Sequence, residues 1–160
     1  MNLDVLISNL VLGGFLLTAV LTDHRDHRIP NWLTGSMLLV GLGLQFLTAG
    51  LSGLAYGLIG VAVGFAVFLF PYMKKAMAAG DVKLMMAVGA FVGAKATLQA
   101  AVISVFAGAS IGLVLLAWRQ YQRQASATID SMLTMQFPYA SAIAIGTAAA
   151  LMLKEFQWMP

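Results

Sequence analysis

Charged residues are few in this sequence, and cysteine is absent altogether. Of the 160 residues, 9% are charged and 61% are hydrophobic. A soluble domain carries roughly 25% charged residues, so this composition indicates an integral membrane protein. The lack of cysteine excludes disulfides, thiolate metal sites and a cysteine nucleophile. No basic run is longer than Lys74-Lys75, and a nucleic-acid surface is therefore not expected.

The length and the N-terminal sequence predict a single domain that spans residues 1–160. A chain of 160 residues suits one compact helical bundle. A secretory signal needs basic residues ahead of its apolar run, whereas the first basic residue here is Arg25. The apolar stretch from Val5 to Leu21 is therefore predicted to be a retained transmembrane helix.

Continuous apolar runs predict an all-α protein with six transmembrane helices. A helix crosses the hydrocarbon core in about 20 residues, and runs near that length are spread over the whole chain. The run that follows Asp81 is the shortest, and it spans only if Lys83 and Lys95 lie at opposite interfaces. The runs do not alternate as strands do. They occupy residues 4–22, 32–50, 52–71, 82–95, 97–118 and 137–153.

The distribution of positive charge predicts the orientation of these helices. Six crossings place the loops 22–31, 71–83 and 119–136 on one side, and both termini on the other. Lys95 and Lys154 lie with the termini. The other seven of the nine basic side chains lie in the three loops, namely Arg25, Arg28, Lys74, Lys75, Lys83, Arg119 and Arg123. The positive-inside rule makes the loops cytoplasmic and both termini non-cytoplasmic. Asp23 and Asp81 then share the cytoplasmic level.

Glycines in the third predicted helix indicate close helix packing. Their spacing of four, three and four residues puts them on one face, and small residues on such a face let helix backbones approach in lipid. They are Gly53, Gly57, Gly60 and Gly64.

Asp23 and Asp81 are the candidate reactive groups. A carboxylate at the edge of a bilayer is energetically costly, so it suggests function. Two carboxylates that share one proton can hydrolyse a peptide, because one activates water while the other polarises the scissile carbonyl. This chemistry needs no nucleophilic side chain. The alternative, that both acids are ordinary interfacial residues beside arginines, remains open on these grounds.

The residues around each acid suit such a site. Gly80 allows a turn or a close substrate approach before Asp81, which opens a helix whose dipole stabilises a carboxylate. Pro30 restricts Ile29 to extended conformations and suits the start of the second helix. The link from Asp23 to Asn31 is therefore predicted to be short and stiff.

Other polar residues of the first loop allow further interpretations. His24 and His27, with Asp23 and Asp26, have the composition of a metal cluster, although a solvated loop is favoured and no metal or cofactor is expected. Lys83 is a candidate partner for the Asp81 carboxylate, a substrate contact or an interfacial anchor.

Three motifs resemble those of the type IV prepilin peptidases, membrane aspartic proteases of the Gly-x-Gly-Asp type. The likeness is greatest to the short form that serves Flp (Tad) pili. The motifs are Asp23 with Arg25 and Ile29-Pro30-Asn31-Trp32, then Gly80-Asp81-Val82-Lys83-Leu84, then Pro138-Tyr139 followed by Ala142-Ile143-Ala144. The family's spacing selects Asp23 over Asp26. Ala78 and Ala140 stand where the family has glycine.

The resemblance implies an aspartic endopeptidase of the bacterial inner membrane. It would remove the basic leader of Flp-type prepilins at the cytoplasmic face, cutting after a glycine. Asp23 and Asp81 would be catalytic, supported by Gly80, Lys83, Ile29, Pro30, Asn31, Pro138 and Tyr139. The expected partners are the prepilin, the lipid bilayer and the pilus-assembly machinery.

The resemblance also implies peptidase activity without N-methylation. Longer, bifunctional relatives carry an N-terminal cytoplasmic segment with a four-cysteine zinc site and methylate the new pilin terminus. Neither the segment nor any cysteine is present in these 160 residues.

Two other classes of function remain as alternatives. A proton-coupled transporter would relay protons through Asp23 and Asp81, and it predicts further polar groups in mid-membrane. The apolar runs hold only scattered examples such as Thr18, Gln45, Ser104 and Ser110. A non-catalytic pilus-assembly scaffold would need neither carboxylate.

Overall fold

The structure is a computed structural model that describes residues 3–26, 28–75, 77–122 and 139–156. These residues form four helices, α1 Leu3–Asp26, α2 Asn31–Met73, α3 Ala79–Gln122 and α4 Tyr139–Phe156. Within them there is no strand, so the all-α prediction is confirmed. The predicted loop 119–136 begins as helix up to Gln122. Its remainder, together with Pro138 and His27, lies outside the described residues.

Breaks divide α2 and α3 into shorter arms. In α2 the helical backbone is interrupted at Ala49 and Gly50, where Gly50 has a φ of 60°. In α3 it is interrupted at Gly93, with a φ of 74°. A positive φ is unfavourable for residues with a Cβ, so glycine suits both positions. We refer to residues 31–48 and 51–73 as α2a and α2b, and to residues 79–92 and 94–122 as α3a and α3b.

With α1 and α4, these arms make six helical segments in the described part of the chain, each overlapping one predicted apolar run. Three of the described helices are long and apolar enough to cross a membrane. They are Leu3–Asp26, Asn31–Met73 and the Ala79–Val114 part of α3. Six crossings and the sidedness of the termini stay predictions. Large apolar side chains such as Leu47 and Phe106 are exposed on the outside of the bundle, as a lipid-facing surface requires.

The glycine face of α2b packs directly on α3a. Gly60 lies against the backbone of Gly89, and Gly64 lies against the carbonyl of Met85, so a Cβ at either position would collide with main-chain atoms. Gly57 lies against the carbonyl of Ala90 in the same way. The prediction of close packing from the glycine spacing is confirmed. As a result α3a, which carries Asp81, is packed closely against α2b.

Helix α4 packs antiparallel to α3b. Gly146 lies against Ala100 and Ser104, whereas the ring of Tyr139, at the start of α4, lies against Gly108. This register places the first turn of α4 at the same end of the bundle as the first turn of α3. The start of α4 is thereby positioned beside Asp81.

Polar side chains surround the break at Gly93, at the opposite end of α3a from Asp81. Gln45 donates a hydrogen bond to the carbonyl of Phe91 at 2.6 Å, and the Tyr56 hydroxyl donates to the carbonyl of Val92 at 2.9 Å. The Thr97 hydroxyl donates to the carbonyl of Gly93 at 2.6 Å. Carbonyls without a partner are costly in hydrocarbon, so these bonds stabilise the break.

Candidate active site

Asp23 lies in the last turn of α1 and points into the bundle. Its side chain is only 6% exposed, whereas Asp26, its rival on sequence grounds, is exposed. The Oδ2 atom of Asp23 accepts a hydrogen bond from the backbone N–H of Ala140 at 3.3 Å. Because Ala140 is in the first turn of α4, the positive end of that helix dipole faces the carboxylate. Burial and this contact distinguish Asp23 from Asp26.

Asp81 lies in the first turn of α3 and is 4% exposed. Its Oδ2 atom accepts a hydrogen bond from the N–H of Ala78 at 3.0 Å, and its own N–H donates to the Ala78 carbonyl at 3.1 Å. Both contacts use the main chain of Ala78, whose side chain is exposed. The alanine that replaces the family's glycine therefore keeps both contacts that fix Asp81.

The two carboxylates are both buried at neighbouring helix ends. Asp23 lies within electrostatic range of Asp81, and so does the half-buried Tyr139. The pair is thus assembled by α1, α3 and α4. Two like charges that interact in a buried site do not both ionise easily, so such a pair favours a state in which one group is protonated and the other ionised. That state contains both an acid and a base.

The Ile-Pro-Asn motif joins α2 to the Asp81 turn at two points. Ile29 packs on Gly80 so closely that a Cβ at Gly80 would lie 3.3 Å from that of Ile29. Asn31 Oδ1 accepts a hydrogen bond from Lys83 Nζ at 2.8 Å. Pro30 precedes α2 in an extended conformation, and its carbonyl accepts the N–H groups of Leu33 and Thr34. The predicted start of the second helix after Pro30 is confirmed.

The partner of Lys83 was not identified from the sequence. One of the three roles considered for Lys83 was a bond to the Asp81 carboxylate. The structure shows a different contact, because the ammonium group binds the amide of Asn31. The contact of Ala140 with Asp23 was also missed, since it uses a backbone N–H that carries no residue-specific signal. Within the described ranges, no three histidine, aspartate or glutamate residues are grouped as metal ligands would be.

The fold and the site together define a multi-pass helical membrane protein with a buried pair of carboxylates at neighbouring helix ends. The sequence model of the type IV leader peptidase family matches residues 10–113, a range that contains both aspartates and the Ile-Pro-Asn motif. The chain therefore belongs to the type IV leader peptidase family, a family of proteases, as its motifs predicted. No curated protein and no solved structure matches the chain significantly.

Proposed function

We propose that Asp23 and Asp81 are the catalytic pair of a membrane aspartic endopeptidase that removes the leader of a type IV prepilin. The observation that carries this proposal is the burial of both carboxylates within electrostatic range of each other, each held by a backbone N–H group. An interfacial anchor would instead point outward, as Asp26 does. Membership of a protease family supplies the reaction class.

Peptide hydrolysis here uses one ionised and one protonated carboxyl group. The ionised group takes a proton from water while the water oxygen attacks the scissile carbonyl, and the protonated group donates a hydrogen bond to the carbonyl oxygen. Proton transfer to the leaving nitrogen then allows the tetrahedral intermediate to collapse into acid and amine. The N–H groups of Ala78 and Ala140 hold one oxygen of each carboxylate in position. Fixed geometry of this kind lowers the barrier of the attack.

The substrate of the proposal is an Flp-type prepilin, cut after a glycine where its basic leader meets its apolar helix. The enzyme is a single domain over residues 1–160 with six crossings, its active site at the cytoplasmic face of a bacterial inner membrane and both termini on the other side. Exposed basic side chains near the site, including Arg25, Arg28, Lys75 and Lys83, support this orientation. The pilus-assembly machinery receives the product.

The proposed product carries a free, unmethylated N-terminus. The sequence has no cysteine with which to build the zinc site that the resemblance associates with bifunctional relatives. The mass of mature pilin separates the two outcomes, because N-methylation adds the mass of a methylene group.

The test combines purified protein with a candidate prepilin and determines product masses. Wild-type protein and Asp26→Asn, a matched change at an exposed carboxylate, are expected to release the leader at one glycine. Asp81→Asn is expected to leave the prepilin intact. Mature pilin formed by Asp81→Asn at the wild-type rate would contradict the proposal and favour the scaffold interpretation.

A further inference from the structure

A groove of about 250 Å³ lies between α2a and α3a, on the outside of the bundle. It is lined by Asn31, Thr34, Gly35, Leu38, Lys83 and Met86. Asn31 begins α2, and Leu38 lies seven residues further on, which is roughly 10 Å along a helix. The groove therefore extends from the end of the bundle that carries the charged residues toward its apolar middle.

The outer end of the groove is rich in hydrogen-bond donors and carries a positive charge. Lys83 is exposed, and the hydrogen bond that it makes within the described part of the chain goes to the neutral amide of Asn31 rather than to a carboxylate. With its oxygen engaged, Asn31 presents its N–H donors, and Lys83 retains further N–H groups. A cation with adjacent donors is suited to the acceptor oxygens of an anion.

The inner end of the groove is apolar. Leu38 and Met86 form its walls. A Cβ placed on Gly35 would meet no atom within 4 Å, so the absence of a side chain there leaves the space open. A helix with its side chains is about 10–12 Å across, so even one turn of it, roughly 5.4 Å long, occupies more than this volume. The inner end is thus an open, apolar surface against which a hydrocarbon chain can lie.

The groove lies on the opposite side of α3 from the carboxylate pair. Asp81 and Lys83 are two residues apart, so their side chains point about 200° apart around the helix axis. Asp81 is buried toward α1 and α4, whereas Lys83 is exposed toward α2. The groove and the carboxylate pair therefore lie on different faces of α3a. The lipid that surrounds the bundle reaches the groove directly.

We propose that this groove is a binding site for an anionic phospholipid. The phosphate lies against Lys83 and Asn31, and one acyl chain lies along Gly35, Leu38 and Met86. The site selects negative headgroups, because a zwitterionic headgroup offsets the attraction between the phosphate and Lys83 with its own cation.

The test is native mass spectrometry of the purified protein in detergent, with phosphatidylglycerol or phosphatidylcholine of identical acyl chains added. Wild-type protein is expected to retain phosphatidylglycerol preferentially. Lys83→Gln is expected to weaken the affinity for phosphatidylglycerol about fivefold, the effect of one basic residue at an anionic membrane surface. Gly35→Phe, which fills the inner end, is expected to lower the occupancy of both lipids.

Two matched variants control for general effects. Lys75→Gln removes an exposed cation outside the groove, and Gly43→Phe adds a ring at another exposed glycine of α2a with open space around it. Both are expected to retain phosphatidylglycerol like the wild type. Lys83→Gln alters an exposed side chain and is therefore expected to fold. It tests the proposed lipid site even if Gly35→Phe does not fold.

Three results would overturn the proposal. The first is that Lys83→Gln retains phosphatidylglycerol as well as Lys75→Gln does. The second is that glycerol phosphate, which has no acyl chain, binds as well as the lipid and identifies a free-phosphate site. The third is that an acidic peptide displaces the lipid from wild-type protein but not from Lys83→Gln, which would make the groove a peptide subsite.

Discussion

The two ends of α3a use hydrogen bonds in opposite ways. At the Gly93 break, the side chains of Gln45 and Tyr56 donate to the main-chain carbonyls of Phe91 and Val92. At the other end, main-chain N–H groups of Ala78 and Ala140 donate to two buried carboxylates. The first arrangement stabilises the backbone with side chains. The second uses the backbone to hold acidic side chains in place, which suggests that the two ends serve stability and catalysis respectively.

The largest loss of stability is expected between the two ends of α3a, where its backbone touches the backbone of α2b. Gly60→Leu places a side chain into the main chain of Gly89, which cannot move aside. The variant should lose roughly 3 kcal/mol of unfolding free energy, the upper range for overpacking. The yield and melting temperature of purified protein measure this. Gly43→Leu, at a glycine with open space, is the control, and equal losses in both would contradict the packing account.

At the carboxylate end, Gly80→Val should impair cleavage more than stability. The added methyl groups press on Ile29 and shift the turn that carries Asp81. A displacement of about 1 Å can lower the rate about 10²-fold. Cleavage rate and melting temperature are measured together, with Ala79→Val as the exposed neighbouring control. A fully active Gly80→Val would show that the contact with Ile29 does not position Asp81.

At the Gly93 end, Gln45→Leu should affect stability alone. It leaves the Phe91 carbonyl without this donor and should lower the unfolding free energy by about 1 kcal/mol, as for other hydrogen bonds within membranes. Thr48→Val is a suitable control, because Thr48 is exposed and bonds only to carbonyls of its own helix. Chemical unfolding is expected to show the loss of stability, whereas the cleavage rate of the folded variant is expected to remain at the wild-type level. A tenfold loss of cleavage by folded Gln45→Leu would refute the division between the two ends.

The smallest effect is expected from restoring the family's glycine at position 78. Ala78→Gly keeps the backbone groups that bind Asp81, so cleavage should stay within about twofold of wild type, with a stability loss below about 1 kcal/mol. Steady-state kinetics measure it. A tenfold change in either direction would mean that the exposed methyl group of Ala78 contacts the substrate.

Sequence reasoning succeeded where the signal is local. The apolar runs predicted the helical segments, because burial in lipid requires long apolar helices. The glycine spacing predicted the face of α2b that packs on α3a, since a helix places residues three and four apart on one side. The breaks at Gly50 and Gly93 lie at or near the ends of the runs 32–50 and 82–95, where one predicted helix gives way to the next. Each of these features depends on residues close together in the chain.

The contacts that assemble the site are not local, and the sequence did not reveal them. The Lys83–Asn31 bond joins positions 52 residues apart, and the Ala140–Asp23 bond joins positions 117 apart. Hydropathy and charge placed Asp23 and Asp81 at one level, but neither signal gives the direction of a side chain around its helix. The burial of Asp23 and the exposure of Asp26 therefore emerged only from the packing of α1 against α4.

The most direct measurement of the central claim is the rate of prepilin cleavage by Asp23→Asn and Asp81→Asn beside their melting temperatures. Asparagine preserves the shape of the side chain and removes a buried charge from the pair. Both variants should therefore melt at or above the wild-type temperature while cleavage falls below detection. Cleavage at the wild-type rate by either one, or a loss of activity that merely follows unfolding, would contradict the assignment of these carboxylates to catalysis.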